Sequence, residues 1–169
     1  ASGAEDTAID LPDITSGLTD TDGSESLSLS IDGIPEGATI TSGTDSFTAT
    51  SGSTAVDVTG WDLTSLQITP PADSDADFTL NVTATSTEAD GGDTASTSQQ
   101  LDITVTGVAD TPTVTVNDAA GAEDTAIALD VSGAVTDSGE SLSLSIGDIP
   151  EGATLTSGTD SFTATSGST

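Results

Sequence analysis

Ser26-Leu27-Ser28-Leu29-Ser30-Ile31 alternates small polar and branched apolar residues without interruption. A period of two sends every second side chain to one face, which is the pattern of a strand with one buried and one wet face in an antiparallel sheet. The same alternation runs through 78–84 (Phe78, Leu80, Val82, Ala84), 101–105 (Leu101, Ile103, Val105) and 113–116. Weaker candidates are Ala8–Leu11, Ala126–Val131, Ala38–Thr41, Ser46–Thr50 and Leu66–Thr69, the last ended by Pro70-Pro71. About seven short strands per hundred residues predict an all-β sandwich. Trp61–Leu66 is expected to form one helical turn, with Trp61 covering an open edge of the core.

The opening stretch is also the start of a repeat. Residues 26–54 recur at 141–169 with changes only at Asp32/Gly147, Gly33/Asp148 and Ile40/Leu155. Upstream, Gly3-Ala4-Glu5-Asp6-Thr7-Ala8-Ile9 recurs as Gly121-Ala122-Glu123-Asp124-Thr125-Ala126-Ile127. Such identity marks tandem modules. Gly107-Val108-Ala109-Asp110-Thr111-Pro112 is the natural boundary, because a strand pattern ends there, an acid follows and Pro restricts the step before it. The expected organisation is a β-sandwich module at 1–110, lacking an opening strand that would lie before Ala1, and the first half of a homologous module at 111–169.

Composition sets the main physical problem. The chain carries 29 acids and no Lys, Arg or His, a formal charge of −29 with no internal counter-charge. Self-repulsion of that size opposes any compact state unless cations screen or bind it. Low hydrophobicity with high net charge also accompanies disorder, but disorder has no reason to keep a strand period. The core must be thin, since one Trp, three Phe and no Tyr leave it to Val, Ile, Leu and Ala. With no Cys, neither a disulfide nor a thiolate metal site can staple it. No apolar run approaches the ~18 residues of a membrane span, and the start is no signal peptide, so the chain reads as an interior excerpt of something longer. A polyanion is not expected to bind nucleic acid or insert into a membrane.

If each strand reverses direction, the acids gather at the two poles of the module. Glu5 and Asp6 fall at the far pole with Asp73, Asp75 and Asp77, and the linker acid Asp110 joins them. Asp20, Asp22 and Glu25 fall at the near pole with Glu88, Asp90 and Asp93. In the second copy, Glu123 and Asp124 repeat the first pair, and Asp137 and Glu140 are brought to the far pole of the first module. Calcium takes six to eight oxygen ligands in tolerant geometry, which suits carboxylates drawn from several loops better than octahedral magnesium does. Asp20-x-Asp22-x-x-Glu25 alone is equally a solvated turn, and Glu88–Asp93 a hairpin turn whose glycines supply positive φ. Asp32, Asp45, Asp57 and Asp62 stand singly and read as solubilising. The Asn81-Val82-Thr83 sequon lies inside a strand pattern and carries no weight.

The motifs EDTAI, TDTDGSESLSLSI, IPEGAT, LTSLQITPPADSDADFTLNVTAT and ITVTGVADTPTV together resemble the tandem immunoglobulin-like or cadherin-like extender repeats of giant bacterial RTX adhesins, the biofilm-type adhesins exported by type I secretion. The resemblance spans essentially the whole chain. It implies an antiparallel β-sandwich, placement outside the cell on its surface, and calcium ions (Ca2+) at the module junctions. Glu5, Asp73, Asp75, Asp110 and Asp137 would then serve the internal junction, and Asp20, Asp22 and Glu25 the preceding one. Asp137-Ser138-Gly139-Glu140 has lost an Asp relative to the first copy.

The leading expectation is a non-enzymatic structural extender, a calcium-stiffened spacer in adhesion or biofilm formation whose partners are calcium and adjacent modules. The alternatives are a segment of an extracellular filament joined to neighbouring chains through open strand edges, or a glycan-binding module. Without His, Cys, Lys, Arg or Tyr, an enzyme would rest on carboxylates alone, as glycosidases do.

Overall fold

A computed structural model describes residues 1–167, which form strands and turns with no helix. The chain divides into two compact units. The first holds Ala1–Thr111 together with Thr136–Glu140, and the second holds Pro112–Val135 and the chain from Ser141 onward. The loop Thr136–Glu140, which by sequence belongs to the second repeat, thus packs with the first unit.

In the first unit the strands are β1 (Ser2–Ala4), β2 (Ile9–Asp10), β3 (Glu25–Asp32), β4 (Thr39–Ser42), β5 (Asp45–Thr48), β6 (Val56–Asp57), β7 (Gln67–Thr69), β8 (Phe78–Glu88) and β9 (Thr94–Thr106). They make a five-stranded sheet in the order β1-β9-β8-β3-β6 and a four-stranded sheet in the order β2-β7-β4-β5. The arrangement is sandwich-like, because one core joins both sheets: Leu29, Ile31, Leu80, Ile103 and Val105 from the first, Ile9, Ile40 and Ile68 from the second. The opening alternation does what its period requires. β3 pairs antiparallel with β8 from Glu25↔Glu88 to Asp32↔Asn81, and Leu29 and Ile31 are buried while Ser28 and Asp32 face out. β8 and β9 form a long hairpin, closed by Glu88 N–H donating to the Asp93 carbonyl at 2.9 Å. Gly91 and Gly92 supply the positive φ (91° and 72°) that this turn needs.

Two local features of this unit differ from expectation. Ser2–Ala4, which lacks an alternating pattern, forms β1 by lying parallel to Thr104–Thr106; the register comes from β9 rather than from its own side chains. The chain then crosses to the other sheet through Glu5–Ala8, and Thr7 Oγ1 donates to the Ala4 carbonyl at 2.9 Å in that turn. Trp61–Leu66 is a pair of turns and not a helix. Trp61 N–H bonds to the Val58 carbonyl at 3.1 Å and Ser65 N–H to the Asp62 carbonyl at 3.3 Å. Asp62 Oδ1 meanwhile accepts from Thr64 N–H at 3.0 Å and Thr64 Oγ1 at 2.8 Å, the local side-chain bonding that competes with helix. Trp61 packs, partly buried, against the core.

The second unit contains β10 (Thr113–Asn117), β11 (Asp130–Ala134), β12 (Thr154–Ser157) and β13 (Asp160–Thr163), in two separate two-stranded ladders. β12 and β13 reproduce the register of β4 and β5: Thr154↔Thr163 repeats Thr39↔Thr48. Ser141–Ile146 is the exception. It repeats the opening stretch but forms no strand, and Leu142, Leu144 and Ile146 are exposed. A half-buried strand needs a ladder and a face to bury, and among the described residues Ser141–Ile146 has neither. The serine-leucine alternation specifies which face is apolar; pairing decides whether there is a strand.

Candidate metal centre

The crossover from β1 to β2 starts the site. Glu5 N–H bonds to the Thr106 carbonyl at 3.0 Å, extending the β1–β9 pairing by one residue. Its side chain turns inward and is only 2 % exposed. Glu5 Oε1 accepts from Val108 N–H at 2.6 Å, so it holds the start of the segment after β9. Asp6 follows in the left-handed region (φ 56°), which Asp tolerates better than most residues. Asp124 repeats that conformation (φ 58°) in the second unit, and Thr125 Oγ1 repeats the Thr7 bond by donating to the Ala122 carbonyl at 2.7 Å. The turn is therefore a local property of Ala-Glu-Asp-Thr.

Asp6 Oδ1 accepts from Asp73 N–H at 3.0 Å, and Asp73 is itself left-handed (φ 54°). Pro70-Pro71 ends β7 and delivers Asp73 to this place. Asp110 completes a cluster in which Asp6, Asp73 and Asp110 each offer a carboxylate oxygen within 4.8 Å of the others. The loop Thr136–Glu140 adds two more acids. Glu140 Oε1 accepts from Asp110 N–H at 2.6 Å. Asp137, 7 % exposed, accepts from Gly139 N–H at 2.8 Å through Oδ1. Asp75 approaches Gly107 beside Glu5: a methyl group on Gly107 would meet Asp75 Cβ at 3.4 Å and Glu5 Oε1 at 3.6 Å.

The electrostatics of this group are unbalanced. Burial raises the Asp73 carboxyl above its ordinary range, and the charges of Asp6 and Asp110 push it further the same way. Three carboxylate oxygens, Glu5 Oε2, Asp110 Oδ2 and Glu140 Oε2, are buried with no hydrogen-bond partner. Buried polar atoms in native proteins are almost always paired, and an unpaired ionised one is the most costly kind. With no cationic side chain anywhere in the chain, no salt bridge can supply the partner. What fits is a hard cation: every donor is an oxygen, and several loops converge without imposing octahedral geometry.

The remaining acids proposed from sequence are placed differently. Asp77 lies at the same pole, but its Oδ1 caps Val105 N–H at 2.8 Å. At the opposite pole, Asp20 Oδ1 accepts from Asp22 N–H at 3.0 Å and Asp22 Oδ1 from Ser24 N–H at 2.8 Å. The bonds from Ser24 lower the Asp22 carboxyl. Glu25 and Glu88 face each other across the β3–β8 ladder, and Asp90 and Asp93 are exposed in the hairpin turn. No three of these near-pole acids converge as closely as the far-pole trio among the described residues. Glu123 and Asp124 are exposed in the second unit. Asp57 and Asp62, read from sequence as merely solubilising, cap turns: Asp57 Oδ1 accepts from Thr59 N–H at 2.8 Å, and bonds from Thr59 and Thr64 lower the two carboxyls. No helix among the described residues is long and apolar enough to cross a membrane. No family model, curated protein or solved structure matches the chain.

Proposed function

We propose that this chain is a calcium-stabilised structural repeat, an immunoglobulin-like spacer module of a secreted bacterial surface adhesin, with no catalytic role. The observation that carries the reading is the convergence of Asp6, Asp73 and Asp110 beside three buried, partnerless carboxylate oxygens. Glu5 and Glu140 each hold a backbone N–H of the 107–111 segment, at Val108 and Asp110. A cation shared by these carboxylates ties that segment down from both sides and replaces mutual repulsion with attraction. Metal binding then becomes folding energy for a module whose core is thin, and it stiffens the connection between repeats. Extracellular calcium modules bind at roughly 10⁻⁴ to 10⁻³ M, so such a repeat is rigid where calcium is abundant and loose where it is scarce.

Small-angle scattering with thermal melting tests this. Calcium in place of chelator is expected to raise the melting temperature and lengthen the maximum dimension, and magnesium at equal concentration to do less of both. Identical melting and dimensions in calcium and chelator would end the proposal.

A further inference from the structure

Three Asp-Gly steps occur in the chain: Asp22-Gly23, Asp32-Gly33 and Asp90-Gly91. Each is a place where the backbone can react with the preceding side chain. The glycine nitrogen attacks the aspartate Cγ, a C–N bond forms, one carboxyl oxygen leaves as water and a five-membered succinimide remains. Water then reopens the ring at either carbonyl. One opening restores aspartate, and the other gives isoaspartate, whose main chain runs through Cγ and is one methylene longer. The cycle consumes and returns one water and needs no oxidant, cofactor or enzyme. Glycine favours it because no Cβ restrains the attacking nitrogen, so the dipeptide alone makes the three steps equivalent. The fold separates them.

Asp32 is the last residue of β3 and stands opposite Asn81 in the ladder, whose Nδ2 donates to Asp32 Oδ1 at 3.1 Å. Gly33 is pressed against β8, since a Cβ there would sit 2.7 Å from the Thr79 carbonyl oxygen. Turning the Gly33 nitrogen toward Asp32 Cγ therefore requires opening a paired strand end. Asp22 is exposed, but its Oδ1 accepts from Ser24 N–H at 2.8 Å, and Asp20 Oδ1 accepts from Asp22 N–H at 3.0 Å. These local bonds hold the Asp22 carboxylate on the N–H one residue beyond the nitrogen that must attack it.

Asp90 has neither restraint. It shares the tip of the β8–β9 hairpin with Gly91 and Gly92, and all three are exposed. Among the described residues none donates a hydrogen bond to its carboxylate. A Cβ on Gly91 or Gly92 would meet nothing within 4 Å, so the tip has room to rotate. The turn is anchored below the tip, where Glu88 N–H bonds to the Asp93 carbonyl and Ala89 N–H to the Ser24 carbonyl, both at 2.9 Å. Ring closure at Asp90 falls between these anchors and breaks no ladder bond.

We infer that Asp90 is a self-modification site, which isomerises to isoaspartate in the folded chain while the bonds at Asp22 and Asp32 protect those residues. The product keeps its carboxylate, and the added methylene lies beyond Thr87↔Thr94, the last pair of the β8–β9 ladder. The sandwich therefore carries the change without losing a strand pair, and the isoaspartate fraction at this turn records how long the chain has been folded. This does not depend on the metal reading.

Ageing the unaltered chain tests this. One sample is held for several weeks at physiological temperature in neutral buffer with calcium, and a matched sample in concentrated urea. Cleavage after glutamate places the three steps in separate peptides, 6–25, 26–36 and 89–123. Isoaspartate in each is counted by enzymatic methylation of its carboxylate and located by electron-transfer mass spectrometry. The folded sample is expected to carry at least several-fold more isoaspartate in 89–123 than in either other peptide, and the urea sample comparable amounts in all three. Comparable amounts in the folded sample would overturn the inference. So would an excess in 89–123 that persists unchanged in urea, because the fold would then not be its cause. Asp90→Glu supplies a second arm, since closure there needs a six-membered ring and the signal from the peptide ending at Glu123 should vanish. An undiminished signal from that variant would assign the reaction to another residue and refute the site.

Discussion

Glu5→Gln changes one buried oxygen for an amide while leaving the acceptor that holds Val108 N–H at 2.6 Å. The structure predicts opposite effects in chelator and in calcium. In chelator the wild-type side chain keeps Glu5 Oε2 buried without a partner, at a cost of about 1–3 kcal/mol, and more if ionised. Gln removes the charge and offers N–H groups to the surrounding carboxylates, so the variant should be more stable by about that amount. For a domain of about this size each kcal/mol moves the melting temperature by about 4–8 °C. In calcium the variant lacks a charged ligand. A site with Kd near ~10⁻⁴ M contributes about 2.7 kcal/mol at ~10 mM calcium, and a tenfold weaker site about 1.4 kcal/mol less. Differential scanning fluorimetry in both buffers reads the two effects on one sample. The expected result is a higher melting temperature in chelator and a smaller calcium-induced rise. Equal destabilisation of the Glu5→Gln chain in both buffers would mean that Glu5 is only a cap for the backbone and not a ligand.

Acidity should act on the metal-free chain in two stages. The raised Asp73 carboxyl stabilises the fold when protonated and loses that contribution as pH rises through its folded value, so melting in chelator should climb as pH falls through that value toward the ordinary aspartate range. The lowered Asp22, Asp57 and Asp62 act in the opposite sense, and stability should fall again as they protonate below about 4; a monotonic curve from circular dichroism would contradict one of the two signs, a steady rise on acidification that of the lowered group and a steady fall that of Asp73. Asp90→Asn, in the exposed hairpin turn, should leave the calcium response measured by calorimetry unchanged. Gly33→Ala should lower stability by roughly 1–3 kcal/mol in denaturant titrations, because its φ is +80° and a Cβ would sit 2.7 Å from the Thr79 carbonyl oxygen; Gly43→Ala (φ +59°), which meets nothing within 4 Å, should cost less. Ile68→Ala, fully buried in the second sheet, should cost about 2–5 kcal/mol.

The all-β class was legible because alternation is a local property: Leu27, Leu29 and Ile31 declare a strand face wherever they stand. Pairing is not local, and this explains both β1 and Ser141–Ile146. Ser2–Ala4 has no pattern yet becomes a strand because Thr104–Thr106 offers an edge, while Ser141–Ile146 has the full pattern and pairs with no strand among the described residues. Strand reversal was enough to place Glu5, Asp6, Asp73 and Asp110 at one pole. It could not distinguish Asp77, which caps Val105 N–H, from Asp75, which faces Gly107 two residues earlier. That distinction rests on which way each backbone turns, and no spacing rule encodes it. Nor did isolated Asp57 and Asp62 announce their turns, although Asp-x-Thr at both sites carried the signal: the Thr two residues on donates its N–H back to the carboxylate.

A calcium-stabilised repeat requires that the far-pole carboxylates hold the ion. A crystal structure grown in calcium, with anomalous difference density to identify the ion, tests it most directly. The prediction is an anomalous peak with oxygens of Asp6, Asp73 and Asp110 at ~2.3–2.6 Å, and with Glu5 Oε2 or Glu140 Oε2 no longer partnerless. An ordered structure in which these carboxylates contact only water would contradict it.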